Sequence, residues 1–213
     1  MEKPSAPAGA LRQAWLVILL ALLYGGALAA VQTTLGPIIA RNKRDITYKQ
    51  IPQLVSGAEK SKTVERTVVG LDGSEHRVYQ AIAADGAHKG WVLPAGGQGF
   101  ADRIDLLIGL DAPVTTITGL YVLDQKETPG LGNLITGESF CDQFAGKSTV
   151  EPIDVVKSDS VTVGNEICAL SGATISSDSV AHIVNSAIAN LKVPIRELDL
   201  TPAPAPDQPP RRR

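Results

Sequence analysis

The most regular pattern in the chain lies near its end. Val180, Ile183, Val184, Ala187, Ile188 and Leu191 recur at i, i+3, i+4, i+7, i+8 and i+11, which is one apolar face of an α-helix. Asp178, His182, Asn185, Ala189 and Lys192 fall on the opposite face. This spacing predicts a helix that starts close to Thr174. Upstream the period drops to two. Stretches 63–69, 76–83 and 89–93 read as short strands, with Asp72-Gly73 and Asp85-Gly86 as the turns between them. Ile104, Leu106, Ile108 and Leu110 alternate along a fourth strand, and Ile117, Gly119, Tyr121 and Leu123 along a fifth. Asp111-Ala112-Pro113 joins these two, which makes them antiparallel neighbours. Between the third and fourth strands, Ala95-Gly96-Gly97-Gln98-Gly99-Phe100 reads as a glycine loop. Stretch 136–147 reads as a short helix with Phe140 and Phe144 one turn apart, and 154–163 as a strand or extended link.

The N-terminal pattern is different again. After a polar leader over 1–13, residues 14–31 are 18 positions without a charge. At 1.5 Å per residue they make a helix of about 27 Å, enough to cross a bilayer core. Ala27-Leu28-Ala29 also resembles a signal-peptidase site, but the apolar run continues to Val31, and we read a retained anchor. A helical linker over 32–52 follows, ending near Ile51-Pro52, where proline stops it. The soluble domain occupies 53–195. The tail, 196–213, is rich in proline and reads as disordered.

Composition narrows the choices. A net charge of −2 provides no basic surface for nucleic acid. Cys141 and Cys168 are the two cysteines; they form no C-x-x-C motif and at most one disulfide. His76, His88 and His182 have no metal-ligand spacing, and no Ser-His-Asp set can be drawn. The glycine loop is not G-x-G-x-x-G, and no Walker sequence is present.

Two short runs carry chemistry. Ser171-Gly172-Ala173-Thr174-Ile175-Ser176-Ser177 leads small residues into the helix start. A helix N-terminus offers backbone N–H groups and a positive dipole end, which suit a phosphate; equally, Thr174 or Ser176 could serve only as an N-cap. Glu127-Thr128-Pro129-Gly130-Leu131-Gly132 is turn chemistry, with Pro-Gly in the type II arrangement.

Together, in this order and about forty residues apart, the two runs resemble the hallmarks of the FMN-binding domain of the Rnf complex G subunit and of the sodium-translocating NADH:quinone reductase C subunit. The first run is similar to that family's flavinylation motif, and the resemblance covers roughly residues 85–192. It implies an α+β fold: an antiparallel, half-barrel-like sheet with packed helices and one N-terminal transmembrane helix. It implies FMN joined covalently through its phosphate to Thr174. Ser171, Gly172, Ala173, Ile175 and Ser176 would surround the phosphate and ribityl chain, and Glu127, Thr128, Leu131 and Gly132 would line the flavin. Lys147 would neutralise flavin charge or phosphate, or stand as a solvated helix-end lysine. The implied function is electron relay as one subunit of an Rnf-type ion-translocating ferredoxin:NAD oxidoreductase, with no catalytic residue of its own. The implied partners are the other subunits of that complex, a flavin transferase and the lipid bilayer. The quinone-reductase subunit, another membrane flavin relay and an anchored binding domain without redox cofactor are the alternatives. The family's usual acidic residue before the motif is replaced here by Cys168. Sidedness divides the reading. Arg41, Lys43, Arg44 and Lys49 after the span outnumber Lys3 and Arg12 before it, which by charge places the domain in the cytoplasm. The resemblance implies the extracytoplasmic side of the cytoplasmic membrane, and we adopt it.

Overall fold

The computed structural model describes residues 8–157 and 164–199. Helix α1 runs Ala8–Leu54, and the chain divides into two compact units, Met1–Asp45 and Ile46–Arg213. In the first unit, residues 14–40 carry no Asp, Glu, Lys or Arg, and Leu16, Leu19, Leu22, Leu23 and Leu28 are exposed. A helix apolar all round lies in a protein core or in a membrane. By length and composition α1 can cross a membrane. Pro52 does not stop it: Val55 N–H still donates to the Ile51 carbonyl at 2.9 Å, and the helix ends two residues later. The reason is packing. Ile51, Leu54 and Val55 are buried, and that burial outweighs the one hydrogen bond proline removes at a helix end.

In the second unit, strands β1 (Val64–Val69), β2 (Glu75–Ile82), β3 (His88–Gln98), β4 (Arg103–Asp111) and β5 (Ile117–Asp124) form one antiparallel meander in sequence order. After it come a 3₁₀ turn (Gly132–Thr136), helix α2 (Glu138–Cys141), a second 3₁₀ turn (Asp142–Phe144), the short parallel pair β6 (Asp154–Val156) and β7 (Glu166–Cys168), and helix α3 (Thr174–Asp199). The helix expected over 136–147 is thus one α-turn between two tighter ones, but Phe140 and Phe144 do meet edge to face at 5.5 Å in the core. The extended stretch expected over 154–163 is strand to Val156; residues 158–163 lie outside the described residues. Helix α3 continues through Pro194 to Asp199, so 196–199 are helical; the rest of the tail lies outside the described residues.

Two corrections concern the sheet. The glycine run is not a loop from its start, since β3 pairs with β4 all the way to Gln98. Gly97 belongs there because a Cβ would sit 2.7 Å from Ile183, where α3 crosses the strand. In β5 the alternation changes phase. Gly109 pairs with Gly119 but Leu110 with Ile117, so Thr118 is an extra residue, a β-bulge. Ile117, Leu120 and Val122 therefore share the core under α3, while Tyr121 and Leu123 pack on the opposite face. In β4 the alternation holds: Ile104, Leu106, Ile108 and Leu110 are fully buried beneath α3, each contributing about 1.5–3 kcal/mol. Leu107 and Val92 face the other way, against Ile51 and Leu54.

The sheet opens like a half barrel. β2 pairs with β3 only over 88–92, while β3 continues with β4 to Gln98. Helix α3 packs against β1 and β3 across that opening. Its expected apolar face is the observed one, with Val180, Ile183, Val184, Ile188 and Leu191 buried.

Candidate functional site

The first turn of α3 is held from below. Gly172 has φ +78°, and Ala173 N–H donates to the Leu170 carbonyl at 2.9 Å, a tight turn that glycine permits. The Ala173 carbonyl accepts the first helical bond, from Ser177 N–H at 2.9 Å. Ala173 therefore stands at the N-cap with a side chain that cannot accept a hydrogen bond. The buried Ser177 hydroxyl takes the Leu170 N–H at 3.1 Å and donates to the Ala173 carbonyl at 2.9 Å. Gln143 grips the approach: its side-chain carbonyl accepts Cys168 N–H at 2.7 Å and its amide donates to the Cys168 carbonyl at 3.2 Å. Cys168 is thus half-buried backbone support. Neither it nor Cys141 is in a disulfide. Burial pushes the Cys141 thiol up to about 11, helped by the charge of Asp142.

The second run folds as its letters suggest. Leu131 N–H donates to the Thr128 carbonyl at 3.1 Å and Gly130 has φ +77°, the arrangement of a type II turn with Pro129 and Gly130 at its centre. Leu131 then reaches across to Gly172, where a Cβ would stand 3.1 Å from Leu131 Cδ2. A third segment completes the site. The hairpin between β3 and β4 closes with Gly99 N–H on the Asp102 carbonyl at 2.8 Å and carries Phe100, which is 61% exposed. The Asp102 carboxyl is held below its usual range by the Arg103 backbone N–H at 2.7 Å and by Lys126, whose ammonium is 3.5 Å away.

These three segments enclose a cavity of about 390 Å³. Thr128, Leu131 and Gly132 line one side, residues 172–176 the other, and Phe100 the rim. Thr174 is exposed there, at the first residue of α3. Sequence reasoning misses Phe100, which it reads only as the end of the glycine loop; an aromatic between glycines and polar residues is the available signal. Three expected residues lie off the wall. Ser171 is exposed beside the cavity. Glu127 is 4% exposed and lies behind Gly132 and Ser176, bonded to Ser176 at 2.6 Å. Lys147 does not line the cavity, its ammonium being on the Gly164 carbonyl at 3.0 Å. A larger cavity, about 750 Å³, lies between α3 and β3. None of the residues of either run lines it; of its lining groups, Arg103 pairs with Asp105 at 2.8 Å, and His76 pairs with Asp72, outside the lining, at 3.2 Å.

The smaller cavity fits FMN. Its size lies within the range of small-molecule sites. Exposed Phe100, Leu131 and Ile175 supply apolar surface for a flat ring. At Gly172 a Cβ would crowd Leu131 of the facing wall at 3.1 Å, so glycine keeps that gap open. A helix N-terminus and a threonine hydroxyl stand at one end for a phosphate.

Comparison with known proteins gives the family and the fold. The sequence profile of the FMN-binding domain matches residues 99–189. The chain is 32% identical over 171 residues to the G subunit of the ion-translocating oxidoreductase complex of Methanosarcina acetivorans, covering 80% of this chain and 84% of that one. It is 35% identical over 132 residues to the G subunit of the Na(+)-translocating ferredoxin:NAD(+) oxidoreductase complex of Acetobacterium woodii, covering 60% and 63%. The fold is similar to the crystal structure of Shewanella oneidensis NqrC, with a TM-score of 0.56, 21% identity, and 61% and 63% of the two chains covered.

Proposed function

We propose the function from one premise: the chain belongs to the FMN-binding domain family that includes the G subunits of ion-translocating oxidoreductase complexes. It is a membrane-anchored flavoprotein subunit that relays electrons through FMN within an Rnf-type ferredoxin:NAD oxidoreductase. The FMN is attached through its phosphate to Thr174. One observation carries the reading: the two distant runs meet around a single cavity, with the Thr174 hydroxyl on its edge at the start of α3.

The residues divide the work. Thr128, Leu131, Phe100 and Ile175 offer the surface on which the ring would lie. Gly172 and Ala173 let the phosphate approach the backbone, and the first turn of α3 receives its remaining negative charge. Thr174 would hold the FMN through its phosphate. A flavin transferase would join the Thr174 oxygen to the flavin phosphate of flavin adenine dinucleotide, the P–O–P bond of the donor would break with AMP as leaving group, and the hydroxyl proton would pass to the transferase. FMN, when bound, supplies the redox chemistry, accepting and passing on electrons singly or in pairs. The chain supplies no catalytic group and works as one subunit among others. Its coverage of 84% of the Methanosarcina protein favours the Rnf-type role over the quinone-reductase one.

The test is Thr174→Ala, expressed in full length together with the transferase. The parent should carry flavin fluorescence on a denaturing gel and an added FMN phosphate in its intact mass; Thr174→Ala should carry neither, and Thr174→Ser should recover both. Because Thr174 is exposed, the substitution should change stability by no more than about 0.5 kcal/mol. Fluorescence that persists in Thr174→Ala would move the attachment site and remove the reading.

A further inference from the structure

Glu127 stands apart chemically. Among the described residues it is the one buried acidic side chain, at 4% exposure. A carboxylate removed from water must be met by donors. Ser176 Oγ–H donates to Oε2 at 2.6 Å, Ala101 N–H to Oε1 at 3.0 Å, and Asp102 N–H to Oε1 at 3.5 Å. Those donors come from two different segments, the first turn of α3 and the hairpin tip that carries Phe100. The carboxylate therefore ties three parts of the site together. Two glycines make room for it. A Cβ at Gly132 would sit 2.7 Å from Oε2 and 2.6 Å from Ser176 Oγ, and one at Gly99 would collide with Oε1.

We infer that Glu127 is a positioning residue, which through Ser176 fixes the first turn of α3 against the wall made by Phe100 and Leu131, and so sets where Thr174 presents its hydroxyl. The inference rests on the flavin reading above. The helix supplies the link. Residues two apart lie about 200° apart around a helix, so holding Ser176 inward, at 2% exposure, turns Thr174 outward. Glu127 does not line the cavity; it acts through Ser176 and the hairpin rather than on the flavin. The bond also brings the glutamate and last glycine of one run against the second serine of the other.

The experiment uses the full chain purified without flavin, then loaded in vitro by flavin transferase with flavin adenine dinucleotide and followed by in-gel fluorescence. Glu127→Ala and Ser176→Ala should each slow loading about tenfold or more, the scale of one lost hydrogen bond to a charged group. The double variant should be no slower than the worse single one, since both remove the same bond. Glu127→Gln keeps an acceptor for Ala101 and a polar partner for Ser176, and should recover most of the rate. Before loading, hydrogen exchange in Glu127→Ala and Ser176→Ala should quicken within 99–102 and 174–178 and stay parental in β3 and β4. Parental loading rates, additive losses, or faster exchange across the whole sheet would each overturn the inference while leaving the flavin reading intact. A parent that takes no flavin at Thr174 overturns both.

Discussion

A methyl group at Gly132 would stand 2.6 Å from Ser176 Oγ and 2.7 Å from Glu127 Oε2, closer than carbon and oxygen approach without displacement. No positive φ is involved, so the demand at this residue is for space alone. Gly132→Ala should therefore push the two side chains apart and lower stability by about 1–3 kcal/mol, the usual cost of overpacking. Thermal melting should show the loss, and flavin loading should fall with it; an unchanged melt would mean that the cavity floor yields freely. Single residues of this kind were only half legible in the sequence. The letters of both runs were visible, and so was the hydroxyl at the start of a helix. That Glu127 turns away from the cavity was not, because burial of one carboxylate depends on donors 25 and 49 positions distant. Phe100 escaped for a similar reason: its place on the rim is set by a hairpin whose flanking strand had been read as loop.

At the scale of elements, periodicity identified every strand of the meander and the apolar face of α3, since both rest on local spacing. It failed where pairing between strands intervenes. The bulge at Thr118 shifts the phase of β5, and β4 draws the glycine run into β3. The turn between β4 and β5 shows what such a junction needs. Asp111 Oδ1 accepts N–H from Thr115 at 2.6 Å and from Thr116 at 3.0 Å, and Oδ2 accepts the Thr115 hydroxyl at 2.6 Å. They hold a turn in which Val114, buried, has φ 55°, a region branched residues avoid. Burial alone would push the Asp111 carboxyl up, but the Thr115 and Thr116 hydrogen bonds outweigh it and hold the carboxyl below its usual range. A carboxyl depressed in the folded state stabilises the protein above its unfolded value, about 3.9, and that stabilisation disappears as pH falls through the folded value. Asp111→Asn should thus be less stable than the parent at pH 7, and the gap should narrow as the pH is lowered below about 4. Denaturant melts of both proteins across that interval check it; a gap independent of pH would mean that the Thr bonds do not depend on the charge.

For the whole molecule, the sheet is covered on both faces, by α3 and α2 on one side and by residues 46–58 on the other. The end of α1 is therefore part of the soluble unit's core. By sequence, residues 46–52 read as the end of the linker helix and 53–58 as the start of the domain, and nothing in their own spacing reveals the sheet they cover. The apolar stretch before them was legible at once, since a run without charge needs no partner to be recognised. What remains is the side of the membrane on which the domain stands, and two arguments oppose each other. Arg41, Lys43, Arg44 and Lys49 outnumber Lys3 and Arg12, and such an excess favours the cytoplasm. Against it, the first of the four lies ten residues beyond Val31, the excess is small, and the rule is a bias. The covalent link proposed at Thr174 would also have most value where a dissociated flavin would be lost to the medium, outside the cell. We therefore expect the domain on the extracytoplasmic face. Protease added to intact spheroplasts should remove it from the membrane fraction, while a cytoplasmic marker protein stays whole. If the domain is cut only after the spheroplasts are lysed, the charge excess decides its orientation, and the proposed covalent link would need a reason other than retention.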